Sequence, residues 1–343
     1  MPSQNKILQA LAIPHTALMS VIFCLMILSF PIGAYLTFNS EIGDDITYEY
    51  PMDNLSLFLA GIGFEIPIEF ELGDGFVVIW CTFLVLFTAA MLGPKKNFVG
   101  VFQSMISEGR YKIQDSYIVA AIKWFSILVI VSGGIISVQE FIGISVEQPE
   151  ASNQLVQFFD ISLAPIIEEL GFRVVLIGLP LFILYSHRMS FKFLVKSLWW
   201  PWQNLRSVNM KKVLLVIVTV GILFGAAHIF SDEAWSTGKL AQAVASGIII
   251  GWVYFRYGLV SAILIHWATN YFIFSYGLIV ADINQISIGD AFSHSLLNTL
   301  ELMIIATGII SVAVLVLNFV YSKKHTLEIC FNFLAEIWFI VLF

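Results

Sequence analysis

The run LVQFFDISLAPIIEELGFRVVLIGLPLFILY, residues Leu155 to Tyr185, decides the fold. It is apolar except for Asp160 near its start and a knot of charge at its centre, Glu168, Glu169 and Arg173. A membrane-crossing helix needs roughly 20 apolar residues, so this stretch reads as a span that carries ionisable groups in its middle. Such groups are costly in hydrocarbon and mark function more often than architecture.

Working outward, seven more blocks of this kind appear: about Thr16 to Phe38, Gly75 to Leu92, Tyr117 to Val138, Val213 to Ile229, Leu240 to Phe255, Leu259 to Val280 and Leu296 to Tyr321. The expectation is an all-α, polytopic transmembrane helical bundle of about eight spans. Composition agrees: 59% of the 343 residues are hydrophobic, 12% are charged and the mean hydropathy is +0.88. A soluble domain carries about twice that charge fraction. The first block is too long for a signal-peptide core and has only Lys6 before it, so it reads as a retained span. The apolar tail from Leu327 to Phe343 is short and either dips into the interface or adds part of a ninth span. Cys24, Cys81 and Cys330 sit in apolar blocks and form no CxxC pair, so no disulfide framework is implied.

Charge sets an expected orientation. Residues 39–74 carry Glu41, Asp44, Asp45, Glu49, Asp53, Glu65, Glu69, Glu71 and Asp74 with no Lys or Arg. Leu57 to Phe64, inside that loop, is apolar but too short to cross. A short acidic stretch with Glu140, Glu147 and Glu150 follows the third span. Basic connectors, with Lys95, Lys96, Arg110 and Lys112, with Arg188 to Lys212, and with Lys323 and Lys324, alternate with acidic or neutral ones. Lys and Arg mark the cytoplasmic side. The pattern predicts a multi-pass cell-membrane protein with its N-terminus in the cytoplasm. The aromatic and basic segment around Trp199, Trp200 and Trp202 fits an interfacial anchor, and Lys123, near the start of its span, is expected to reach to the interface. Three regions result: a three-span N-terminal region with its acidic loop (1–150), a helical core (151–285), and a C-terminal span with its tail (286–343).

Two further spans carry polar motifs. The fifth ends in Phe224-Gly-Ala-Ala-His228, and the seventh holds His266-Trp-Ala-Thr-Asn270. Residues four apart share a helix face. Glu169 and Arg173 can therefore neutralise each other, while Glu168, about 100° round the helix, must look to another helix. His266 and Asn270 share a face, and Phe224 can pack on the His228 ring. One carboxylate, two imidazoles and an amide from three helices suit hydrolysis. Glu168 would activate a water that His228 orients, and His266 and Asn270 would donate to an oxyanion. The same set permits a metal route, with Glu168, His228 and His266 as ligands and zinc as the ion. The residues leave both routes open. Read singly, each motif has a plainer meaning: a buried ion pair for Glu169 and Arg173, a packing histidine for His228.

Glu-Glu-x-x-x-Arg, Phe-x-x-x-His and His-x-x-x-Asn, in this order on three apolar segments, resemble the CPBP intramembrane proteases. These comprise the CAAX prenyl endopeptidases of the Ras-converting type and the bacteriocin-processing or immunity proteins, also called the Abi family. The resemblance covers about Leu155 to Ile279 and extends to the run Gly251-Trp-Val-Tyr-Phe-Arg256-Tyr-Gly258. It implies Glu168 as the water-activating residue with His228 beside it, His266 and Asn270 as oxyanion donors, and Glu169 and Arg173 as supports. It also implies an intramembrane endopeptidase acting on a peptide or protein substrate, lipidated in the prenyl-endopeptidase case, through a glutamate or a metalloprotease mechanism. Val174 stands where the family often has Gly, the 185–213 connector is long, and the acidic loop has no counterpart. Two rival readings are a non-peptidase scaffold or immunity-type protein of the same fold and a proton-coupled transporter. Transporters often show two related halves, and no internal repeat is present. The partners expected are membrane lipids and substrate, with no nucleic acid.

Overall fold

The computed structural model describes residues 6–43, 46–111, 115–146, 153–230 and 236–322. Asp44, Asp45, Lys112, Glu147, Glu150, Lys323, Lys324, Cys330 and the 327–343 tail lie outside the described residues. The chain runs α1 Lys6–Asn39, β1 Pro51–Met52, β2 Leu55–Leu59, β3 Ile62–Ile66, β4 Phe70–Glu71, α2 Leu72–Leu92, α3 Phe98–Glu108 and α4 Tyr117–Phe141. Next come α5 Gln154–Glu168, a π-helix Glu169–Gly178 and α6 Leu179–Ser186, followed by α7 Phe191–Trp199, α8 Pro201–Asn204, α9 Met210–Phe230 and α10 Lys239–Tyr257. The chain continues through α11 Leu259–Trp267, a second π-helix Ala268–Phe272, α12 Ile273–Asn284, α13 Ile288–Ala291 and α14 Ser295–Ser322.

All eight expected spans are helical, and the protein is an all-α polytopic bundle. Among the described residues, six helical segments are long and apolar enough to cross a membrane: α1, α2, α4, α9, α11 through α12, and α14. The other two are α5 through α6 and α10. The first is diluted by Asp160, Glu168, Glu169 and Arg173, the second by Lys239, Gln242 and Arg256.

Two packing devices position the polar motifs. Helices α9 and α10 meet at glycines: a Cβ on Gly247 would lie 3.0 Å from Gly221 Cα, and one on Gly225 would lie 3.1 Å from Leu240 O. Small residues let helix backbones approach closely in a bilayer, and this contact holds the His228 end of α9 against the start of α10. The second device is aromatic. Trp267 stacks on Phe30 at 5.4 Å and on Tyr271 at 5.3 Å and meets Phe87 edge-on at 4.9 Å. Tyr271 donates to Ser29 O at 3.0 Å. These contacts clamp α11 and the π-helix after it onto α1 and α2, which sets the rotation of the helix that carries His266.

Two local expectations are corrected, those for Lys123 and for the Trp199 to Trp202 segment, and one stretch takes a form the sequence did not suggest. Leu57 to Phe64, too short to cross, forms no helix. It lies in the antiparallel hairpin β2–β3, in register Leu59↔Ile62 through Leu55↔Ile66. The turn residues Ala60 and Gly61 have φ of 55° and 88°, as a two-residue type I′ connection requires. Lys123 is buried at 2% exposure, its Nζ 5.0 Å from the Trp124 ring centroid, so it does not reach to the interface. Trp200 is buried and donates to Arg256 O at 2.9 Å, while Tyr254 donates to Leu198 O at 2.7 Å. The aromatic connector is thereby docked on α10, and of its tryptophans Trp199 is the one that faces outward.

Candidate active site

Glu168 ends α5 and Glu169 opens the π-helix, so the geometry changes between the two adjacent carboxylates. The His266 motif does the same: His266 lies in α11, and Asn270 lies inside the second π-helix. π-segments are rare and occur often at functional sites. They re-aim side chains that a regular helix would stack one turn apart.

Glu169 and Arg173 are both fully buried, with Glu169 Oε2 2.9 Å from Arg173 Nε. The angle misses hydrogen-bond geometry, and neither Nη atom of Arg173 has a hydrogen-bond partner among the described residues. Instead the guanidinium lies over the Phe224 ring, 4.8 Å from its centroid, a cation–π contact of about 0.5–2 kcal/mol. Phe224 is the hub of the aromatic wall. Its ring lies 4.7 Å from His228, 5.9 Å from His266 and 5.0 Å from Phe172.

Glu169 does more than neutralise Arg173. Its Oε1 lies 2.9 Å from His266 Nδ1, so the expected two-residue pair is a three-residue relay, Arg173–Glu169–His266. A carboxylate on Nδ1 orients the imidazole and selects its tautomer. The other ring nitrogen, Nε2, then faces Glu168, 3.9 Å from Oε2. That distance is too long for a direct hydrogen bond and leaves room for a shared water or substrate atom. Glu168 keeps some exposure, 16% of its side chain against none for Glu169.

His228 donates from Nδ1 to Phe224 O, 2.9 Å away, and lies within electrostatic reach of Glu168 and His266. Asn270 is half-buried, and its Oδ1 accepts from Thr269 Oγ1 at 3.3 Å. The same hydroxyl lies 2.8 Å from His266 O. Glu168, Glu169, Arg173, His228 and His266 are thus gathered around Phe224, whereas the polar contact of Asn270 is to Thr269. Lys239, at the start of α10, lies within electrostatic reach of Glu168. The sequence reading passed over it, because a lysine beside an acidic loop looks like an ordinary span boundary.

The candidate zinc set does not assemble as a ligand cluster. Among the described residues no three His, Cys, Asp or Glu side chains group in a way that would hold a metal ion. His266 and His228 engage Nδ1 with Glu169 and with a backbone carbonyl, which leaves Nε2 as the outward nitrogen of each ring, that of His266 standing 3.9 Å off Glu168.

Fold and site together define a polytopic helical membrane protein with a buried glutamate–histidine centre. Residues 152–272, just over a third of the chain, match the family model described as Type II CAAX prenyl endopeptidase Rce1-like. The chain carries a domain of that family, which is the CPBP family. No curated protein and no solved structure matches the chain.

Proposed function

We propose that this protein is an intramembrane endopeptidase of the CAAX-prenyl-protease type, a hydrolase of the cell membrane with its N-terminus in the cytoplasm. The observation that carries the reading is the placement of His266 between two glutamates, bonded to Glu169 and standing 3.9 Å off Glu168. In the reaction that this geometry supports, Glu168 takes a proton from a water held between it and His228. The water oxygen attacks the scissile carbonyl carbon. The negative charge that forms on the carbonyl oxygen is met by hydrogen bonds from the Asn270 amide and from Nε2–H of His266 acting as the imidazolium, whose Nδ1–H stays on Glu169. When the C–N bond breaks, Glu168 returns its proton to the departing amine. Glu169 and Arg173 hold the His266 ring and balance charge, and they touch no substrate. A peptide or protein, lipidated if the CAAX likeness extends to substrate, is the substrate class. The N-terminal 1–150 region, the 151–285 core and the 286–343 region then serve as platform, catalytic unit and closing span.

The test is reconstitution in liposomes, with cleavage of a farnesylated CAAX peptide and proton flux followed side by side. Cleavage that disappears in Glu168→Gln supports the reading. Flux without cleavage would instead favour a transporter, and neither activity a scaffold.

A further inference from the structure

The β2–β3 hairpin has no place in the chemistry above, yet it is wedged into the site. A Cβ added to Gly171 would collide with the backbone nitrogen of Ala60 and lie 3.1 Å from Ala60 Cα and Leu59 C. Only a glycine lets the hairpin tip approach the catalytic helix this closely. On the other side of the tip, a Cβ built on Gly61 would lie 4.0 Å from Ala227 Cβ, the neighbour of His228. Gly171 follows Glu168 by three residues, within one turn of the π-helix that opens at Glu169. The turn therefore bridges the helices that carry Glu168 and His228.

Strand β2 packs on α5 and on the π-helix that follows it, which leaves β3 as the outer strand. Among the described residues β3 pairs with β2 alone, and its residues 62–65 are exposed. In a two-residue hairpin the pair closing the turn, here Leu59↔Ile62, is the hydrogen-bonded one. Ladder alternation then turns the backbone N–H and C=O groups of Gly63 and Glu65 away from β2. An unpaired strand edge is a ready template for another extended chain. This one begins at the tip that sits between Gly171 and Ala227. Its surroundings select for charge: residues 39–74 hold nine acidic and no basic residues.

We propose that the free edge of β3 is the substrate-docking strand: an extended, lysine- or arginine-bearing peptide segment pairs with the backbone of Gly63 and Glu65, and its continuation enters the gap between Glu168 and His228. Strand addition of this kind takes affinity from main-chain hydrogen bonds and specificity from side chains. Extended peptide is also the form in which a scissile bond is open to attack, so docking and presentation coincide. The inference rests on the endopeptidase reading for the fate of the peptide, but binding at the edge is measurable without turnover.

The experiment uses the full-length Glu168→Gln protein in detergent and fluorescence anisotropy with a short peptide that alternates lysine and valine. Two companion peptides carry glutamate in place of lysine, or N-methyl groups on alternate backbone nitrogens. The parent peptide is expected to bind at least about tenfold more tightly than either, the N-methylated one having lost one or two hydrogen bonds and the glutamate one being repelled by the acidic segment. Adding Glu65→Pro, which removes one outward N–H from the edge strand, should weaken parent binding by about tenfold, the same loss. Glu65→Gln, which keeps that N–H, should retain most of the binding. Equal binding of the N-methylated peptide overturns the proposal, as does parent binding that is absent or indifferent to Glu65→Pro; in either case the hairpin is a lid alone. Should Glu65→Pro fail to fold, the three peptides on the unaltered strand decide. Edge-dependent binding with no cleavage of a longer version by the unaltered protein would overturn the endopeptidase reading while leaving the docking strand in place.

Discussion

His266 Nδ1 and Glu169 Oε1 are 2.9 Å apart, and the other oxygen of the same carboxylate lies 2.9 Å from Arg173 Nε. One buried glutamate thus holds a cation from its own helix and an imidazole from another. The adjacent glutamates should therefore fail in different ways. Removing the charge in Glu169→Gln leaves the Arg173 guanidinium buried and uncompensated, which costs about 3–5 kcal/mol, and it also releases His266. Thermal unfolding in detergent should show a clear loss of stability, with activity lost alongside. Glu168→Gln should melt like the parent protein, yet its peptide-cleavage rate should fall at least about 10²-fold, the lower range for loss of a general base. Near-normal turnover in a well-folded Glu168→Gln protein would remove Glu168 from the role of base.

Phe224 touches Arg173, His228 and His266 with one ring. Phe224→Leu keeps an apolar filler but removes the ring face, so stability should drop by about 0.5–2 kcal/mol from the lost cation–π contact. Because both histidine rings lose the surface they lean on, cleavage should fall by more than the stability change explains. Comparing the melting temperature with kcat at a temperature where both proteins are fully folded checks this. Unchanged kcat would mean that Phe224 serves packing alone.

Gly171 admits no Cβ without displacing the hairpin backbone at Leu59 and Ala60. Gly171→Ala, usually favourable in a helix by about 1 kcal/mol, should here release the tip. The expected result is faster proteolytic nicking within residues 55–66, with helical circular dichroism unchanged. A hairpin still as protected as in the parent protein would show that the tip is held elsewhere.

On the proposed orientation, Asp53 and Lys96 lie on opposite sides of the bilayer, separated by α2. In a background lacking the three native cysteines, Asp53→Cys and Lys96→Cys should react with a membrane-impermeant thiol reagent from opposite faces of sealed vesicles, Asp53→Cys from outside. Labelling of both from one face would refute the proposed orientation.

The apolar blocks, the three polar motifs and the Glu169–Arg173 pair were legible in the sequence because each is a local pattern. A span declares itself by length, and residues four apart on a helix meet whatever surrounds them. Phe224 against His228 is the same kind of contact and was read the same way. Lys123 and Trp200 were misread because their surroundings come from distant segments, and composition cannot tell a lipid-facing or interfacial site from a protein-packed one. The hairpin was read only as too short to span: Ala60 at a turn that favours Asn, Asp or Gly hides the usual signal. By itself, then, the sequence determined that this chain is a polytopic helical membrane protein with a glutamate–histidine–asparagine set in a few of its spans. Tertiary structure alone decided that Glu169 rather than Glu168 bonds His266 and that an acidic-loop hairpin seats on Gly171. Those outcomes depend on helix rotation, set by glycine contacts between α9 and α10, the aromatic clamp on Trp267 and two π-segments. The glycine contacts and the clamp of Trp267 on Phe30 and Phe87 join residues far apart in the chain, and no short window of the sequence contains both partners.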